Sequence, residues 1–176
     1  MSENEDQSSD NNAAEENAFE APKADLSSTN TEKPILEIER FSTWGVFFLG
    51  MFTLGIYSIY WLYSRTQTIN CSAQENKVST NLLNTYIGSI ILVWVISIYG
   101  GFTAAAGDSN IEMVSSIITI INYIIYLVLI FAFRRAVTEV INMGTTHPVK
   151  LGGVMTFFFS VLYFQYKINE AIDEQS

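Results

Sequence analysis

The sequence predicts an all-α integral membrane bundle of four apolar segments, two of them firm spans and two kinked or re-entrant, behind a disordered acidic tail. Three observations carry this expectation. Residues 41–176 contain four long apolar stretches without a charged side chain, and aromatic residues gather at the ends of two of them. The chain's net charge of −9 is confined almost wholly to the first forty residues.

Residues 1–40 hold eleven Asp/Glu against three Lys/Arg, whereas residues 41–176 hold seven against six. Ser, Asn, Asp, Glu and Ala dominate the first part, which Pro22 and Pro34 interrupt. Such a composition buries too little apolar surface to offset the entropy of ordering, so a disordered tail over 1–40 and a helical membrane domain over 41–176 are expected. Within the tail, Asn17-Ala18-Phe19-Glu20-Ala21-Pro22-Lys23-Ala24-Asp25-Leu26 resembles an N-P-Y-x-A-P-x-A-x-L element found ahead of small bacterial membrane domains. Phe19, Pro22 and Leu26 are the residues through which it would dock a cytosolic partner; a plain linker is the alternative. The acidic balance argues against nucleic acid, whose phosphates call for clustered Lys/Arg.

A bilayer core of ~30 Å takes ~20 apolar residues in helical form. Segment 1, Phe41 to Tyr63, segment 2, Leu82 to about Phe102, and segment 3, about Met113 to Phe133, are long enough. Segment 4, Leu151 to Tyr166, has sixteen residues and is marginal. Tyr57, Tyr60, Trp61 and Tyr63 precede Arg65, and Tyr163, Phe164 and Tyr166 precede Lys167, the order expected of rings at headgroup depth followed by a snorkelling cation. Segments 1 and 4 also match at an offset of 103, pairing Gly50, Thr53, Tyr60, Trp61 and Tyr63 with Gly153, Thr156, Tyr163, Phe164 and Tyr166. An internal duplication and chance similarity between apolar stretches both remain open.

Cation count favours one topology. Four crossings would divide the nine Lys/Arg five to four between the two sides. If segments 1 and 4 instead return to the side they left, all nine share one face and the cation-free connector Thr103–Asn110 takes the other. Thr53-Leu54-Gly55 is the expected place for segment 1 to turn, since glycine permits the break. Both termini then lie on the cytosolic side.

The run Thr53-Leu54-Gly55-Ile56-Tyr57-Ser58-Ile59-Tyr60-Trp61-Leu62-Tyr63, with Arg65 and Ile69-Asn70 after it, resembles the T-x-G-I-Y-x-x-Y-W-x-Y signature of the domain of unknown function 4234 family, small bacterial membrane proteins. Leu162-Tyr163-Phe164-Gln165-Tyr166-Lys167-Ile168-Asn169-Glu170 is similar to an ending of related members. The resemblance brackets residues 41–170 and singles out Thr53, Gly55, Tyr57, Tyr60, Trp61, Tyr63, Tyr163, Gln165, Tyr166 and Asn169. It implies a multi-pass protein of the bacterial inner membrane and supplies no activity.

Chemistry is sparse. No Asp, Glu, His, Lys or Arg falls inside the four segments, where such groups mark proton relays, ion paths and active sites. His147 and Cys71 are the single members of their kinds, so a disulfide and a thiolate metal centre within the chain are excluded. No cofactor and no catalytic residue is expected. Arg134-Arg135 reads as an anchor for anionic lipid headgroups, with Arg135 and Glu139 spaced for an i, i+4 pair and Gly144 placed to stop the helix. Ser115, Thr119, Asn122 and Tyr126 fall on one helical face of segment 3, opposite a patch of Asn81, Thr85, Gly88 and Ser89 on segment 2; Ser115, Thr119 and Asn122 are expected to serve helix packing. The expected function is therefore non-enzymatic, exercised through the lipid bilayer by lateral association, including association into a homo-oligomer, or by recruitment of a partner. The alternative is a small channel or transporter component using the polar stripe of segment 3.

Overall fold

The computed structural model describes residues 33–104 and 109–176, with side chains described outside 103–110. Within Glu32–Ser176, a single compact unit, a 3-10 turn Pro34–Glu37 leads into five helices: α1 Thr43–Phe52, α2 Ile56–Ser72, α3 Thr80–Ala104, α4 Ser109–Asn142 and α5 Gly153–Gln175. The fold class among these residues is all-helical. Serines start two of the helices. Ser42 Oγ accepts from Gly45 N at 3.3 Å ahead of α1, and Ser79 Oγ from Leu82 N at 3.4 Å ahead of α3. Gly144, at φ 74°, follows the end of α4 as expected of a left-handed cap.

Two helices are long and apolar enough to cross a membrane, Thr80–Phe102 with mean hydropathy 1.8 and Ile111–Asn142 with 2.4. Only 11% and 17% of their most apolar stretches are buried within the chain, where the core helix of a water-soluble protein would be mostly covered. They pack chiefly on each other. Asn122 Nδ2 donates to Ser89 Oγ at 2.7 Å across the pair, and Tyr86 and Tyr126 lie 5.5 Å apart between ring centroids.

The core sits elsewhere, around the last four turns of α4. Leu129, Ile130, Phe133, Ala136, Val137, Val140 and Ile141 are buried there against Trp61, Leu62, Ile69, Leu83, Phe164, Ile168 and Ala171. Ile35 and Ile38, 0% and 2% exposed, belong to it as well. The expectation of a disordered tail through residue 40 is therefore corrected for residues 33–40. Two isoleucines there reach a core assembled from helices distant in sequence, which local composition conceals. Lys33 Nζ donates to Gln175 O at 2.8 Å, and Arg40 pairs with Asp173 at 3.0 Å. The expected docking stretch Phe19–Leu26 lies outside the described residues.

Segment 1 breaks where expected. The Gly55 N–H bonds Gly50 O at 2.7 Å and the Leu54 N–H bonds Met51 O at 3.2 Å, the pair of bonds that closes a Schellman turn. Leu54 and Gly55 both take positive φ, 52° and 90°. Thr53 secures both sides: its hydroxyl donates to Leu49 O at 2.6 Å and accepts from Tyr57 N at 2.9 Å. The chain then returns beside α1, so that Gly50 meets Ser58, and Phe41 comes within 6.4 Å of the Tyr57 ring. Farther back, Glu39 O accepts from Arg65 at 2.9 Å.

Segment 4 breaks too, at Ser160, where φ 35° and ψ −109° interrupt α5. The fold-back brings the Tyr163 hydroxyl to Gly152 N at 3.0 Å, a meeting that the ~16 Å rise of eleven helical residues would prevent. Segments 1 and 4 are thus two helical hairpins that pack on α4 and on each other.

Candidate functional site

At the foot of α4, where its apolar run gives way, Arg134, Arg135 and Lys150 line a cleft of about 420 Å³ with Asn76, Thr138, Glu139, Asn142 and Leu151. Its walls are fixed by backbone contacts. Arg134 Nε donates to Leu151 O at 2.7 Å, and its guanidinium lies 6.0 Å from the Phe131 ring centroid. Asn142 forms a two-bond clamp with Val149, accepting from its N at 2.7 Å and donating to its O at 3.0 Å, which holds the loop carrying Lys150. Asn70 grips Val78 in the same way, with both bonds 2.8 Å, and so fixes the approach to α3.

Glu139 does not join Arg135 as its i, i+4 spacing suggested. One carboxylate oxygen accepts from the N–H groups of Gln74 and Glu75 at 2.7 and 2.9 Å, and the other from Asn76 N and Nδ2 at 2.7 and 2.9 Å. Consecutive backbone donors form a concave anion seat, which the helix's own carboxylate fills. Although both of its oxygens are engaged, Glu139 keeps its negative charge, so the cleft sets three cations against one carboxylate. An anionic group of phosphodiester size fits this balance of charge, and Arg supplies the paired donors that phosphate oxygens favour. Lys150 and Asn76 were not singled out from sequence. The only local hint was a cation shortly after Pro148, where a loop must return.

Of the residues that carry the family resemblance, Trp61, Gln165 and Asn169 converge on packing. Trp61 Nε1 donates to Gln165 Oε1 at 2.9 Å in the core. Gln165 Nε2 bonds Phe41 O at 3.1 Å and Asn169 Oδ1 at 2.8 Å, while Asn169 Nδ2 reaches Phe41 O at 2.8 Å. This network ties the start of α1 to α2 and α5. Thr53 and Gly55 make the first turn, and Tyr163 supports the second hairpin. Tyr57 and Tyr60 pack ring to ring at 6.1 Å, and Tyr63 is exposed. The Tyr166 hydroxyl reaches Glu170 at 3.4 Å. Lys167 also pairs with Glu170, and that hydrogen bond, against the smaller opposing effect of burial, raises the lysine's pKa and keeps it charged.

The polar stripe of segment 3 divides. Asn122 faces α3 and Ser115 is half-buried, but Thr119 is exposed and its hydroxyl bonds Ser115 O at 2.8 Å. Within the chain, then, Thr119 bonds back along its own helix and does not pack against α3. Asn81, Thr85 and Gly88 are exposed as well, which leaves Ser89 as the member of that patch facing α4. A second cleft, of about 320 Å³, lies where the hairpin turns meet the helix pair, lined by Leu54, Gly55, Ser58, Asn122, Tyr126 and Val161 among others. Exposed His147 sits in a turn, its N–H donating to Thr145 Oγ1 at 3.2 Å, and Cys71 is exposed. Among the described residues no three His, Cys, Asp or Glu are placed together to hold a metal ion. Comparison with family models, with curated proteins and with solved structures gives no match to this chain.

Proposed function

We propose that this chain is a non-enzymatic, multi-pass protein of the bacterial inner membrane that crosses the bilayer twice, through α3 and α4. It holds an anionic lipid headgroup in the Arg134–Arg135–Lys150 cleft on the cytosolic side, and it acts there by association or by recruiting a partner. One observation carries the reading: α4 changes character along its length. Up to Val128 it is apolar and largely uncovered, with Ile117, Ile120 and Ile124 more than half exposed; from Leu129 it is the centre of a buried core, and from Arg134 charges surround it. Water would not leave the first part bare, and lipid would not accept the charges around the second.

Topology finds support in contacts that four crossings would forbid. Arg65 meets Glu39, and Gln175 Nε2 donates to Ile141 O at 2.9 Å, although four crossings would separate each pair by the membrane. Against the channel alternative stands the use of Asn122 on Ser89, since a polar group committed to a neighbouring helix does not line a path for solute. The likeness to the domain of unknown function 4234 family fits the same picture.

Single-cysteine labelling tests the topology. In a Cys71→Ser background, Asn76→Cys, Gly107→Cys and Lys150→Cys are expressed singly and intact cells receive a membrane-impermeant thiol reagent. Only position 107 is expected to react. Protection of 107 with labelling of 76 and 150 would overturn the arrangement.

A further inference from the structure

We infer that the two hairpins make the chain a one-sided wedge, which expands the leaflet on its cationic face and so favours bilayers that are convex on that face. The inference rests on the membrane reading above and adds a mechanical function to it.

Helical rise locates the hairpin turns in depth. Phe133 receives both hairpins at their feet, with the Trp61 ring at 5.9 Å and the Phe164 ring at 5.1 Å. Next to it, Arg134 meets Leu151. The first turn, Leu54-Gly55, lines a cleft with Asn122 and Tyr126, as does Val161 beside the break at Ser160. Tyr126 and Asn122 stand about 12 and 18 Å along the axis from Arg134 at ~1.5 Å per residue. A bilayer core is ~30 Å thick, so both turns end near its middle. The arms agree: the ten residues of α1 span about 15 Å, and Gly153 to Phe159 about 10 Å.

Among the described residues, one leaflet therefore contains six helical legs, namely α1, the start of α2, α3, α4 and the two arms of α5, whereas the other contains α3 and α4. The arms present side chains that belong in lipid. Trp44, Phe52, Leu54, Val154 and Phe158 are each at least 70% exposed, and no charge lies on α1 or between Gly153 and Tyr166. Their covering is the acyl region of the leaflet nearest the cations, because the arms leave from that face and return to it. At ~10–12 Å diameter per helix, four additional legs add roughly 300–450 Å² to that leaflet, the area of several phospholipids. Area added to one leaflet is relieved by bending, which is why shallow helices respond to curvature.

The full chain, labelled with a fluorophore at exposed Cys71, is reconstituted into phosphatidylethanolamine–phosphatidylglycerol vesicles spanning small sonicated to large extruded sizes. Protein per lipid is read vesicle by vesicle, and an impermeant quencher reports the side on which Cys71 lies. The expected result is a severalfold higher density in small vesicles, in the population whose Cys71 is outside. Leu54→Lys with Phe158→Lys, which draws both turns out of the core, should abolish the preference while the chain still resists alkaline carbonate. Equal density at every size, or enrichment with Cys71 inside, overturns the wedge and leaves the membrane reading standing. Release of the unaltered chain by carbonate overturns both.

Discussion

The two hairpins stand on the same aromatic floor yet turn by unlike means. Trp61 and Phe164, paired by the 103-residue offset, both lay their rings edge-on against Phe133, at interplanar angles of 68° and 67°. Thr53 and Thr156, paired by the same offset, both donate to the carbonyl four residues back. The turns then part company. The first uses a glycine, a left-handed leucine and a threonine cap. The second bends at Ser160, three residues beyond the position matching Leu54, with no glycine at the break. What the two regions share is their footing on α4; the turn above is free to differ. A hairpin of this kind is thus specified by its base, where burial is complete, more than by its tip.

The largest effect should come from removing the shared floor. Phe133→Ala takes a fully buried ring from beneath both hairpins at once, and truncations of this kind cost about 3–5 kcal/mol. Denaturant titration of the detergent-solubilised chain should show that loss, with protease sites opening in α2 and α5 together. Opening of one hairpin alone would mean that the two do not rest on a common support.

A second substitution separates them. Trp61→Phe keeps an aromatic ring on Phe133 but deletes the donor to Gln165, leaving a buried acceptor bare at about 1–3 kcal/mol. Gln165 also ties down Phe41, so the start of α1 should loosen while Gly153 to Phe159 stays protected. Hydrogen exchange resolved by segment would check this. Equal loosening of both hairpins would argue that Gln165 supports the base as a whole.

How far the sequence revealed this arrangement follows from how local each signal is. The break in segment 1 was legible because Thr-Leu-Gly states its own turn chemistry within three residues. The break at Ser160 was visible only as a segment too short to cross, since serine carries no preference for φ 35° and the bend is imposed by packing at Phe164 and Val161. Arg134 and Arg135 could be read as a site for anions from adjacency alone. Lys150 could not, because it arrives through a loop held by the Asn142 clamp. Ile35 and Ile38 were hidden among acids, and Glu139 found backbone donors 63–65 residues away in place of the arginine one turn before it. In each case the missing information was a partner distant along the chain.

The smallest effect is the one that most sharply separates the two turns, because a glycine exchange should cost stability at one and nearly cancel at the other. Gly55 at φ 90° occupies backbone that a side chain resists, so Gly55→Ala should destabilise the chain by about 1–2 kcal/mol. Space is not the obstacle, since a Cβ there meets nothing within 4 Å. Ser160 already carries such strain, its φ and ψ lying near the first central position of a type II′ turn, where glycine is preferred. Ser160→Gly relieves that strain, which costs about 1–3 kcal/mol in comparable positions. Three losses oppose the gain. The Ser160 hydroxyl no longer donates to Thr156 O at 2.9 Å and no longer bonds Tyr126, each worth about 0.5–1.5 kcal/mol, and glycine adds about 0.5–1 kcal/mol of unfolded-state freedom. The gain and losses should nearly cancel, read as a denaturation midpoint that barely moves beside a clear fall for Gly55→Ala. If Ser160→Gly lowers the midpoint as much as Gly55→Ala does, the hydroxyl and not the backbone governs the second turn, and the two hairpins are held by side-chain bonds alike.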